Sequence, residues 1–318
     1  MNKILCIGEA LIDMICTDKG VSLSDGEHFL KKAGGAPTNV AAAIAALGGQ
    51  VNIAAKVGKD PFGNHLIDVL NSFGVSTSTV KKDPSSFTTF AFVSLMENGE
   101  RDFYFNRGAD GMLSVEDVSP IDMSVYSISH FGSATAFLPG PLQESYIYLL
   151  EKAIEHGQLI SFDPNYRELL FGNNKNEFIK RSMNFIEQSN FFKLSDEEAL
   201  LITGKSTVDD AATYLTQKSD AVFAITLGKD GTLIGINGNT KMIPSIPVNP
   251  IDTTGAGDAF VGAVLYQLSR YSREEIHQLN IDNWTNIFFN ANKAGARTCE
   301  FMGAMEAFKH LSQDIFNS

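Results

Sequence analysis

The chain has 318 residues, 44% of them hydrophobic and 19% charged, a globular composition that excludes a disordered, collagen-like or coiled-coil chain. Its 25 basic and 37 acidic side chains leave a net charge of −12, a field that repels phosphodiester backbones and anionic membranes. Neither nucleic acid nor a membrane is expected as a partner.

The opening MNKILCIGEALIDM places Glu9 and Asp13 where a signal peptide needs an apolar run, and no stretch approaches the ~18 apolar residues of a membrane span. Cys6, Cys16 and Cys299 form no CxxC pair, so no disulfide framework or structural metal is suggested. A soluble, cytoplasmic protein is expected.

Residues 3–8 are a short apolar run ending in glycine, the pattern of a strand buried on both faces of a parallel sheet. Residues 10–33 and 87–106 instead alternate and are β-rich, with Asn98-Gly99 placed as a hairpin turn. With no helix to cover it, this material predicts a small antiparallel lid sheet, made from about 12–33 and 87–107 and inserted in one α/β domain spanning 1–318. Further buried strands are predicted at 127–131, 159–162, 191–194 and 221–226. Leu142, Tyr146, Leu149, Leu150, Ala153 and Ile154 recur at helical spacing, as do Trp284, Ile287, Phe288, Ala291 and Ala294. Alternating strands and helices predict a doubly wound, mainly parallel sheet with helices on both faces.

Two glycine-rich segments carry chemistry. Asp252-Thr253-Thr254-Gly255-Ala256-Gly257-Asp258 leads into an apolar helix, so converging backbone N–H groups and the helix N-terminus make an anion cradle. Asp258 at its lip is either a general base for an attacking hydroxyl or a plain helix cap. Gly34-Gly35-Ala36-Pro37-Thr38-Asn39 admits close backbone approach, and the Asn39 amide both donates and accepts, as sugar hydroxyls require. A phosphate-binding GxxxxGK[ST] is absent, because Ala199 stands where its first glycine belongs, and Phe260 breaks a GxGxxG.

GGAPTNVAAAIAALG and DTTGAGDAFVGA, in this order, resemble the two signatures of the ribokinase-like (PfkB) carbohydrate kinases. The likeness runs from GEALIDM at residue 8 to the NANKAG run ending at residue 295. It implies the ribokinase-like fold and ATP-dependent phosphorylation of a sugar. Asp258 then matches the catalytic base, Gly255, Ala256 and Gly257 the anion hole, and Asp13, Gly34, Gly35 and Asn39 the groups that hold sugar hydroxyls. Asn165 and Arg167 match residues near the phosphates, Arg167 being a candidate electrostatic clamp beyond a strand's carboxyl end. Glu198 matches the acid that acts on hydrated Mg²⁺, although Ser195 stands where the family often has Asn. Thr226, Gly228, Gly231 and Asn292 match the ATP side. Asp252, Thr254 and Gly303 resemble a K⁺ site in which Ala307 replaces a serine.

The segment 101–110 is similar to that of fructokinases, which end it in Ala-Asp. Asp110, with Asp13, argues for a neutral sugar, while Arg107, Lys31 and Lys32 argue weakly for an anionic one. The reading is an ATP-dependent fructokinase, dimeric through the lid, with a 2-keto-3-deoxygluconate, tagatose or nucleoside kinase as the near alternative. A non-catalytic sugar sensor is the distant one.

Overall fold

The computed structural model describes residues 1–97 and 101–316. Its strands, in chain order, are β1 (Ile4–Ile7), β2 (Leu11–Cys16), β3 (Phe29–Gly34), β4 (Val51–Gly58), β5 (Val80–Asp83), β6 (Phe90–Leu95), β7 (Arg101–Asn106), β8 (Ile128–Phe131), β9 (Leu159–Phe162), β10 (Phe191–Ser195), β11 (Val222–Thr226), β12 (Thr232–Ile236) and β13 (Asn239–Ile243). Nine of them form one sheet, ordered β13-β12-β11-β10-β9-β8-β1-β4-β5. Only the β11-β12 and β12-β13 pairings are antiparallel. β1, β8 and β9 are buried at every position because helices cover both faces.

One face carries the helices Ala36–Ala46, Ala256–Leu268 and Ile281–Cys299, packed into a core with Val40, Ile44, Val264 and Phe288. The first two approach unusually closely: a Cβ on Gly262 would lie 2.7 Å from that of Ala43. On the other face, Pro141–Glu155 and Lys175–Gln188 pack over an aromatic hub. Phe185 there meets Phe131, Phe137, Tyr146 and Phe162 at centroid distances of 5.6, 5.3, 5.1 and 5.2 Å.

The doubly wound sheet agrees with the sequence expectation, and all five anticipated buried runs are strands. β4, β5 and the antiparallel β12-β13 edge were not anticipated. The stripe from Trp284 to Ala294 is buried throughout, but Ile154 is 45% exposed. At 3.6 residues per turn, twelve residues carry it about 120° around the helix from Leu142, onto the flank.

The second sheet is ordered β3-β2-β6-β7. β2-β3 and β6-β7 pair antiparallel, as expected of a lid, while β2 and β6, the two strands that leave the core, pair parallel in the middle. Phe29, Phe90, Phe92 and Tyr104 lie on one side of it, with Phe90 4.8 Å from Phe62 of the main body. Asp13, Ile15, Leu30, Val93, Phe103 and Phe105 lie on the other side by register. The expected Asn98-Gly99 turn lies outside the described residues. No described helix is long and apolar enough to cross a membrane.

Truncating the aromatic hub by Phe185→Ala should cost about 3–5 kcal/mol, read as a lower chemical-denaturation midpoint, because four rings lose their common partner.

Candidate active site

The site lies beyond the carboxyl ends of β1, β8, β9, β10 and β11, where the N-termini of the helices Ala36–Ala46 and Ala256–Leu268 meet. Gly34 is required because a Cβ there would collide with the Asp13 carboxylate, so the β3 backbone and that acid touch without a side chain between them. One turn into the first helix, Asn39 donates Nδ2–H to Asp258 Oδ2 at 2.8 Å. The two glycine-rich segments, 219 positions apart, thus meet in one hydrogen bond. Asn39 Oδ1 is buried and accepts no hydrogen bond from the protein.

Burial pushes the Asp258 carboxyl above its ordinary pKa, and the charge of Glu198 adds to this, while the Asn39 bond, Lys193 and Arg167 pull it back. The result is a carboxylate more basic than one in water, yet held in place by a donor.

Next to it is a pair the sequence reading left unassigned. Lys193, in β10, and Asp163, just past β9, are 7% and 1% exposed, with Nζ 3.1 Å from Oδ2. The same ammonium lies 3.3 Å from where a Cβ on Gly257 would stand, so it faces the 255–257 turn. Burial and the negative charges of Glu198 and Asp258 push Asp163 up to about 7 against the pull of Lys193. Burial opposes the Lys193 charge, but Asp163, Glu198 and Asp258 outweigh it and keep the lysine cationic. On the same side of the sheet, His130 is held neutral, its pKa pushed down to about 3 by burial and by Lys193, with Nδ1 3.0 Å from Ser161 Oγ. A lysine inside the otherwise apolar FFKLS strand was the available signal for this pair.

Arg167 is exposed, and its charge lowers the pKa of both Asp13 and Asp258. Asp13 is nonetheless pushed up to about 7 by burial. Asn165 adopts φ 47° and donates Nδ2–H to Gly132 O at 2.8 Å. Its Oδ1 lies 3.5 Å from an Arg167 Nη, so its amide turns the chain and steadies the arginine.

Glu198 accepts from Tyr166 N and Ser195 N at 2.8 Å each, while Ser195 Oγ accepts from Glu198 N at 3.1 Å. This capping box accounts for the serine: it starts the helix Asp196–Thr203 and fixes the acid beside Asp163 and Asp258. Among the described residues, no three His, Cys, Asp or Glu side chains converge to hold a metal by themselves. Three neighbouring carboxylates suit a divalent ion that keeps its water shell.

Among the residues expected to face ATP, Thr226 pairs with Thr232 in register, and Gly228 and Gly231 turn the chain between them with φ of 57° and 109°. Asn292 accepts from Thr232 Oγ1 at 2.7 Å and donates to Pro244 O at 3.0 Å, bracing that turn. Asp252 Oδ1 accepts from Thr254 N at 3.0 Å and Oγ1 at 2.7 Å, and Oδ2 from Gly303 N at 2.8 Å, so the three expected cation-site residues come together. The donors there are hard oxygens, as an alkali cation requires.

Two residues expected on the substrate side have partners within the protein. Asp110 is 1% exposed, accepting from Thr135 Oγ1 at 2.8 Å and from Thr89 Oγ1. Arg107 donates to Pro139 O at 2.7 Å and Thr135 O at 3.2 Å, with Nε 3.6 Å from Asp110 Oδ2. Both side chains make these bonds at the root of the lid, while Arg107 Nε is buried without a hydrogen-bond partner. Glu9, also unassigned from sequence, is 1% exposed and accepts from Ala36 N at 3.1 Å, Ala134 N at 3.3 Å and Ser133 Oγ at 2.5 Å.

A Gly-rich helix start carries the buried Asp258 carboxylate, with the Lys193–Asp163 ion pair beside it and a small sheet overhead, an arrangement suited to phosphoryl transfer to a small hydroxylated substrate. Residues 1–309 match the pfkB family carbohydrate kinases, and the chain belongs to that family. It is 35% identical over 317 residues to probable fructokinase-4 of Arabidopsis thaliana, covering 98% of this chain and 95% of that one. A fructokinase of Xylella fastidiosa with bound ATP superposes with a TM-score of 0.88 at 28% identity, covering 99% and 97%. A double mutant of the Vibrio cholerae O395 fructokinase, in a form with fructose, ADP and potassium ion bound, gives 0.85 at 28%, covering 100% and 97%.

Burial, partly offset by the Ser133 bond, raises Glu9 from 4.5 to about 7. A carboxyl with a raised folded pKa stabilises the fold below its unfolded value and loses that contribution as pH rises through the folded one. Wild type should therefore lose stability relative to Glu9→Gln between about pH 4.5 and 7, by roughly 3 kcal/mol, measured by chemical denaturation across that range.

Proposed function

We propose that this protein is an ATP-dependent fructokinase that transfers the γ-phosphoryl group of ATP to the 6-hydroxyl of fructose. The observation that carries the reading is the Asn39-Asp258 pair: a buried amide that fixes the base with its donor and keeps an unpartnered acceptor for a substrate hydroxyl. The near-full-length likeness to fructokinases supports fructose as the sugar.

Asp258 takes the proton of the attacking hydroxyl, helped by the burial that raises its basicity. The 255–257 turn presents N–H groups to the transferring phosphoryl, and Lys193 and Arg167 add positive charge from the flank and from the open side. Asp13, Gly34, Gly35 and Asn39 orient the sugar. Thr226, Gly228, Gly231 and Asn292 shape the ATP side. Mg²⁺, when bound through water to Glu198, would neutralise phosphate charge, and K⁺ at Asp252, Thr254 and Gly303 would support the anion turn.

With Asp110 withdrawn into the lid root, discrimination against anionic sugars falls to Asp13. Phe103 and Phe105 stack 6.3 Å apart on the side of the lid that carries Asp13, which favours a nucleoside kinase as the second reading. Ile15 and Leu30, exposed on that same side, support a homodimer that pairs two lids, and the three free cysteines suit a cytoplasmic location.

A panel of fructose, tagatose, ribose, 2-keto-3-deoxygluconate and adenosine, with Mg²⁺ or chelator and with K⁺ or Na⁺, tests the substrate and both ions. Fructose should be preferred, and preference for adenosine would establish the second reading. Asp258→Asn should lower kcat by roughly 10²–10⁴ while leaving the KM for sugar near the wild-type value. Wild-type turnover in that variant would remove the base assignment. Leu30→Asp should shift sedimentation from dimer to monomer, and an unchanged coefficient would remove the lid interface.

A further inference from the structure

The lid is joined to the main body at four strand ends, and all four meet in one buried polar chain. Glu9 stands just before β2 and Ala36 just after β3, while Thr89 precedes β6 and Gly108 follows β7. Glu9 accepts from Ala36 N at 3.1 Å, joining the first two ends, and Gly108 N donates to Thr89 Oγ1 at 2.8 Å, joining the other two. The loop after β8 links the halves. Ser133 Oγ donates to Glu9 Oε2 at 2.5 Å and accepts from Thr135 N at 3.2 Å, and Thr135 Oγ1 donates to Asp110 Oδ2 at 2.8 Å. Asp110 closes the chain by accepting from Thr89 Oγ1. Glu9, Thr89, Asp110, Ser133 and Thr135 are between 0% and 4% exposed, so water does not compete for these bonds.

We propose that Ser133, Thr135 and Asp110 are positioning residues that fasten the lid roots to the main sheet and so set the sugar affinity. The groups assigned to the sugar hang on those roots: Asp13 lies in β2, Gly34 ends β3, and Asn39 is one turn beyond Ala36. A buried carboxylate bridged by two hydroxyls has one low-energy arrangement, because an unpaired oxygen there costs the desolvation of a charged group. Arg107 reinforces it by donating to Thr135 O and Pro139 O of the same loop. The chain thus holds the lid as a unit and leaves the ATP side, built on β10 to β13, on a separate footing.

The proposal rests on the assignment of sugar kinase activity, so the comparison is made with whichever panel sugar the wild-type protein phosphorylates. If no sugar is turned over, it is that assignment which fails. Thr135→Val removes the bridging hydroxyl at nearly constant volume, and Thr135→Ser restores it. The KM for sugar should rise about tenfold in Thr135→Val with the KM for ATP within twofold, ATP hydrolysis without sugar should increase, and Thr135→Ser should return both to wild-type values. Asp110→Asn, measured in parallel, should give the same split, and it keeps the test open if the valine variant does not fold. A sugar KM within twofold of wild type in a folded variant, or equal increases in both KM values, would overturn the proposal.

Discussion

The closeness of two helices is the constraint on which the site depends. Ala43 faces Gly262 across the interface between Ala36–Ala46 and Ala256–Leu268, and no side chain larger than a methyl stands between the backbones there. That spacing brings Asn39 within 2.8 Å of Asp258. The helix N-termini then converge on one point, and their dipoles act on the same small volume. The alanines and glycines that look undistinguished in composition therefore decide where the chemistry can occur.

Charge in the cleft is balanced around Asp258. Three carboxylates, Asp163, Glu198 and Asp258, crowd together, and burial with the negative charge of the neighbouring acids raises the pKa of Asp163 and of Asp258. Lys193, tethered by Asp163 from below, and Arg167, approaching from the open side, draw Asp258 back towards ionisation. Asp163 is raised to about 7, chiefly by burial and by the charges of Glu198 and Asp258, against the pull of Lys193. The cleft thus has a buried cation at its base and an exposed one at its mouth.

Much of this was legible in the sequence, and the failures have identifiable causes. Runs such as Leu159–Phe162 announce buried strands because both faces must be apolar, and the two glycine-rich segments declare themselves through residues that few other structures require. β4 was hidden because its polar Asn52 and Lys56 interrupt an otherwise buried strand, and each has a specific partner that sequence does not display. The partners of Asp110 were hidden for a related reason. An acid following a lid strand looks available, whereas Thr89 and Thr135, 21 and 25 positions away, supply hydroxyls that only the fold brings to it. Lys193 and Asp163 were visible as letters, but their pairing belongs to neighbouring parallel strands, and register is not written in either one alone.

The 219-residue span between Asn39 and Asp258 also has a temporal consequence. Closing a loop of that length is entropically slow to repay, and the central sheet strands on which both ends rest come from the stretch in between. A growing chain can therefore build the small sheet and most of the large one while the cleft still lacks Asp258 and the 255–257 turn. The meeting of the two glycine-rich segments comes late and all at once, so a polypeptide stopped short of residue 258 has its Asn39 amide in place with no carboxylate to hold.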